Sequence, residues 1–175
     1  MINSQVKLIS EQVLKDRGLI HTNVPNAMIS PIICTVQDLH VHALLGDALY
    51  LKLKTDVKQN ALSGNYLLLV QNYLADIIVY GVMSDYVVES TYQSYTKGLT
   101  KKRDDFADSI SIDELKVISD RYENKRDHYI VRAINYLNNN TSLFSEYRAN
   151  NTDVNASENF YSPTIYLRPD KTCRC

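Results

Sequence analysis

The sequence predicts a mainly α-helical protein: a compact bundle of about four to five helices, a short extended segment and an extended C-terminal arm. Three observations predict it. Apolar residues recur at three- and four-residue steps through most of the chain before position 140. Tyrosine repeats every seven residues in two places, Tyr66, Tyr73, Tyr80 and then Tyr122, Tyr129, Tyr136. Seven residues is nearly two helical turns, so each triad lies along one side of a helix. Residues 141–175 are instead rich in Asn, Ser and Thr, with too few apolar side chains to pack alone. The expected division is a helical domain over 1–140 and a polar arm over 141–175.

Ser10 is placed to cap a short helix that ends before Gly18. A loop leads to Asn26, and a helix follows to about Ala43, with Pro31 expected in its first turn. Gly46 breaks or bends the chain, and a shorter helix continues to about Val57. Ser63-Gly64-Asn65 signals a turn. From Asn65 to about Val88 the chain is apolar almost all round, as in a helix with neighbours on several sides, which makes it the expected spine. Its tyrosines are expected in the core. Glu89–Gly98 weakens to Ser, Thr, Tyr and Gln and favours an extended conformation. Ser111 with Glu114 three residues later forms a capping box, opening an amphipathic helix to about Asn138. Its tyrosines are expected to seal the domain against the spine. A straight helix lets a heptad drift by about 40° across such a triad. Tyr136, next to the arm, is therefore the candidate for contact with a neighbouring subunit.

Thirteen tyrosines and no tryptophan make tyrosine the main aromatic surface, and the formal net charge of −1 gives no global pull toward nucleic acid or membrane. The most apolar stretch, Tyr66–Met83, contains Asp76 and is read as a buried helix, not a membrane span. No secretory leader is read in the first twenty residues. No catalytic, cofactor or metal site is expected. His40 and His42 share a helix but sit about 200° apart, so they do not chelate. Asp38 and His42, four apart, are expected to pair on the helix surface. An enzyme built on Asp38, His40 or His42 is the least favoured reading. Cys34 reads as a small buried hydrophobe, and Cys173 and Cys175 as a reduced terminal pair. Lys97, Lys101, Lys102 and Arg103 form a basic cluster that Asp104, Asp105 and Asp108 nearly neutralise, the pattern of a solvated loop.

One order of residues goes further. Leu8-Ile9-Ser10 opens the first helix, followed by Asn23-Val24, then Ile29 to Ile33, then Gln37-Asp38, then Leu45-Gly46-Asp47-Ala48-Leu49-Tyr50. This order resembles the head–tail connector (neck ring) proteins of tailed phages, and among them the version in crAss-like and related Bacteroidetes phages. Tyr136 to Asn140 followed by Leu143 to Tyr147 looks like the same family's closing element. The resemblance spans residues 7–60 and 117–147.

The resemblance implies a mainly helical virion protein, made in the host cytoplasm, that forms a homo-oligomeric ring of about twelve subunits beneath the portal. It implies contact with the portal and the adjacent neck or tail rings, and DNA passing through the lumen without sequence-specific binding. No catalytic motif comes with it. The chain departs from the family at Phe160 to Leu167 and at the Cys-Arg-Cys end. Phe160, Tyr161, Ile165, Tyr166 and Leu167 are expected to anchor the arm in a neighbouring protein. Lys97, Lys101, Lys102 and Arg103 are expected to meet the portal, since tight basic binding would hinder DNA sliding. The alternative is a non-enzymatic helical adaptor that binds a regulatory protein.

Overall fold

The computed structural model describes residues 6–18, 20–95, 98–101 and 111–147, with backbone alone at 92–95 and 98–101. It is mainly helical, as the periodicity predicts. Helix α1 spans Glu11–Arg17, and the Ser10 hydroxyl accepts from the Val13 amide at 3.3 Å. Helix α2 spans Asn26–Val36 and runs through a π-helical turn, Gln37–Val41, into α3, His42–Lys58. Helix α4, Gly64–Leu69, passes through a second π-turn, Val70–Leu74, into α5, Ala75–Thr91. Helix α6 spans Ile112–Asn139, and a 3-10 turn, Thr141–Leu143, follows it.

Three expectations change here. Pro31 stands in the interior of α2, not in its first turn. Its ring is exposed, and the missing N–H costs one intrahelical bond in a helix held by its buried face of Ile29, Ile32, Ile33 and Val36. The spine continues helically to Thr91, and the Ser90 and Thr91 hydroxyls bond back to the Val87 carbonyl at 3.4 and 2.8 Å. The extended segment is a two-stranded antiparallel hairpin, β1 Tyr92–Tyr95 and β2 Gly98–Lys101, with Tyr92 opposite Lys101.

Gly46 bends α3 as expected. Its φ of 74° lies in the region that only glycine enters without strain, so the helix changes direction there without ending. The capping box at α6 is formed. The Ser111 hydroxyl accepts from the Glu114 amide at 3.2 Å, and the Ser111 amide donates to the Glu114 carboxylate at 2.9 Å. Such a cap contributes about 1 kcal/mol.

The core gathers Ile29, Ile33 and Val36 of α2, Leu49 and Leu53 of α3, and Leu74, Ile77 and Ile78 of the spine, all fully buried. Gly81 sets the distance between α2 and α5. A Cβ there would stand 2.6 Å from Cγ1 of Val36, so only a bare Cα lets the helices meet. Two long helical stretches, Asn26–Lys58 and Gly64–Thr91, are long and apolar enough to cross a bilayer. Half of the first apolar window and 61% of the second are buried in the fold, so much of that surface is committed to the protein interior.

The packed domain also extends past residue 140. Phe144 is fully buried and Tyr147 is buried, both in the core cluster, because α6 alone leaves its last turn uncovered and the 3-10 turn folds these rings back onto it. The arm residues Phe160, Tyr161, Ile165, Tyr166 and Leu167 lie outside the described residues, as do Lys97, Lys102 and Arg103.

Candidate interaction surface

The two tyrosine triads meet. The spine and α6 run antiparallel, so their heptads interleave rung by rung. Tyr73 stacks on Tyr136 with ring centres 4.1 Å apart, and Tyr80 on Tyr129 at 5.3 Å. Tyr122 lies beyond, 6.5 Å from Tyr80. At the other end Tyr66 meets Phe144 edge-on at 5.4 Å. All six tyrosines are half-buried, so the first triad is not core as expected. Their hydroxyls favour the wet edge of a helix seam over a dry interior. Tyr136, the candidate for an intersubunit contact, is committed to Tyr73 on one side and to Phe144 at 5.9 Å on another.

Cations lie along the outer side of this seam. Lys52 sits 4.8 Å from the Tyr66 ring centre, Arg132 5.0 Å from Tyr73, and Lys125 5.2 and 5.4 Å from Tyr80 and Tyr122. Each such contact contributes about 0.5–1 kcal/mol when exposed. The Tyr66 hydroxyl donates to Glu146 at 2.7 Å. Burial and that carboxylate push the Tyr66 pKa up to about 12. Burial alone would raise Glu146, but the Tyr66 hydroxyl and Lys52 hold it below its ordinary value. Tyr80, Tyr129, Asp120, Arg121, Lys125 and His128 are among the residues lining a broad groove of about 630 Å³ on the α6 side of the seam.

A second polar cluster lies across α6. Ser84, buried on the spine, shares a 2.9 Å hydrogen bond with Ser119 and donates to Glu123 at 3.3 Å. Burial raises the Asp85 pKa; Arg126 opposes the rise and Glu123 adds to it. Burial and Asp85 raise Glu89. Arg126 holds Asp127 at 2.9 Å and approaches His40 at 3.4 Å. Burial and then Arg126 depress the His40 pKa.

His40 and His42 do go to different partners. His42 pairs with Asp47 and stacks on Tyr50 at 4.6 Å. It does not pair with Asp38 as expected. The π-turn at Gln37–Val41 inserts a residue into the helical register, and the bend at Gly46 brings Asp47 to His42 instead. Asp38 accepts from the Tyr50 hydroxyl at 2.5 Å. Among the described residues no three His, Cys, Asp or Glu side chains gather into a metal-binding set.

The π-turns are also where the N-terminal segment is held. Gln37, buried, accepts from the Leu8 amide at 2.6 Å and donates to the Val6 carbonyl at 3.2 Å, imitating a strand partner. Arg17 donates to the Gln71 carbonyl at 3.3 Å, in the second π-turn, and to Asp76 at 3.1 Å. A π-turn frees backbone acceptors, which explains the first of these contacts. Lys15 closes the 18–25 loop by donating to the Thr22 and Val24 carbonyls and to Asn26, all within 2.9 Å.

The fold and its seam define a small helical-bundle domain with an aromatic, cation-lined surface. The chain belongs to a family of unknown function, DUF6712, whose model matches residues 41–156, about two thirds of the sequence. The match runs from the end of the first π-turn through α6 and beyond. No curated protein and no solved structure matches the chain.

Proposed function

We propose that this chain is a structural virion protein, a head-to-tail connector that forms a ring at the portal–tail junction of a tailed phage and lets DNA pass through the lumen. Its role is mechanical and adhesive. One observation carries the reading: the residues that resemble the connector order act together as one structural unit. Ser10 caps α1, and Lys15 fixes the loop at Val24. Gln37 clamps Leu8, Asp38 accepts from Tyr50, and Gly46 turns α3. The resemblance is thus carried by positions that set the subunit's shape, and shape is what a ring component contributes.

In this reading repeated heterologous contacts close the ring. Residues Phe160, Tyr161, Ile165, Tyr166 and Leu167 anchor the arm in a neighbouring neck or portal subunit, and Lys97, Lys101, Lys102 and Arg103 face the portal. Negative-stain imaging of the chain mixed with purified portal protein tests it. The expected result is a ring with a central hole stacked on the portal; portal particles with nothing added sink the reading. Deleting residues 150–175 is expected to leave a folded domain that joins the portal poorly, and unchanged joining removes the arm from the account.

A further inference from the structure

We propose that the tyrosine and cation groove on α6 receives the acidic flank of a second copy of this chain, in a head-to-tail contact. On α6, Arg121, Lys125, His128 and Arg132 follow at steps of four, three and four residues, forming one stripe beside the tyrosines. At about 100° per residue, Glu123 and Asp127 fall on the far side of the helix. The neighbouring spine adds Asp85 and Glu89 to that flank: Ser84 donates to Glu123, the next residue Asp85 lies within reach of the charge of Glu123, and Glu89 within reach of that of Asp85.

The two sides differ in sign. Arg121, Lys125 and Arg132 on the groove side stand against Asp120. The flank sets Asp85, Glu89, Glu123 and Asp127 against Arg126 and Lys116. A two-fold contact centred on either patch alone would set like against like and be repelled. A head-to-tail contact sets opposite signs together, and it propagates from copy to copy. The groove also offers an apolar floor, Val117 and the faces of Tyr80 and Tyr129, with Val117 68% exposed. This inference rests on the connector reading only for the closure of such contacts into a ring.

Sedimentation of the full chain over a wide concentration range tests it, with and without added salt. Wild type is expected to self-associate, and less so as salt rises. The variant R121E/K125E, with an acidic groove, and E89K/E123K, with a basic flank, are each expected to self-associate roughly tenfold more weakly. Mixing the two is expected to restore association, because each supplies the charge that the other lost. The four substitutions combined in one chain are expected to restore it as well, and circular dichroism identifies any variant that fails to fold.

A wild type that stays monomeric at its highest soluble concentration overturns the proposal. So does a mixture no better than its components. Loss of association on deleting residues 150–175, together with indifference to the charge swaps, overturns it too, by assigning the contact to the arm. A ring on the portal that is indifferent to the charge swaps removes this contact and leaves the connector reading intact; association without any ring on the portal does the reverse.

Discussion

The spine helix is built differently on its two sides. Toward α2 it is dry and aliphatic: Ile77, Ile78 and Val82 are fully buried, and Gly81 lets Val36 approach the backbone itself. Toward α6 it is aromatic and half-wet, with Tyr66, Tyr73 and Tyr80 stacked on partners and roofed by Lys52, Arg132 and Lys125. The first contact tolerates no added atom, because close-packed aliphatic groups have nowhere to move. The second is made of flat rings that slide at little cost and stay half-exposed to solvent. One side therefore fixes the domain's shape, and the other leaves it a surface with which to meet partners.

That contrast can be broken from either side. Gly81→Val is the most damaging change, expected to cost about 3 kcal/mol or to prevent folding, because its side chain must occupy the space of Val36. Urea denaturation reads the loss; a cost under 1 kcal/mol would mean that the dry contact yields after all. On the seam, Tyr73→Ala and Tyr136→Ala should each cost about 2 kcal/mol, discounted for half-burial. Their double-mutant cycle should return a coupling of about 1 kcal/mol, and strict additivity would deny the stack.

Arg132→Met keeps the aliphatic stem and removes the charge over Tyr73, for an expected loss of about 0.5 kcal/mol that added salt diminishes. Asp85→Asn has the smallest effect and the opposite sign. Burial raises the Asp85 pKa, so its charge opposes folding at neutral pH, and the folded state gains relative stability as that carboxyl takes up its proton. The substitution should therefore stabilise by under about 0.5 kcal/mol at neutral pH, after allowance for solvent screening. The gain should fade as pH drops toward the ordinary value of 3.8. Thermal unfolding at both ends of that window checks the sign.

Much of the fold is legible where one residue type has one backbone consequence. Ser10, Gly46 and the Ser111–Glu114 box mark their turns and caps because hydroxyl caps and positive φ are local requirements. The π-turns are not legible, since their extra residue is selected by distant partners, Leu8 for one and Arg17 for the other. That hidden residue is also why Asp38 bonds Tyr50 instead of pairing with His42. The tyrosine heptads announce a seam, but spacing along one helix says nothing about the depth of that stripe or about which ring meets which. The cations over the rings come from α3 and α6, and the one signal for them is that Lys125 and Arg132 repeat at the tyrosines' own seven-residue interval.

That shared interval has a consequence for how the chain selects its alignment. Slide α6 along the spine by one heptad, about 10 Å, and tyrosine meets tyrosine again: Tyr66 with Tyr136, Tyr73 with Tyr129, Tyr80 with Tyr122. The ladder alone cannot distinguish the two alignments, and the shifted one even gains a rung. The choice falls to the inner face of α6. The shift would carry Glu123 into the buried place of Ile130 and Arg126 into that of Ala133. Two charges driven into a dry interior cost far more than one stacked pair returns. Ile130 and Ala133 thus serve as the key that admits a single setting of an otherwise repeating lock.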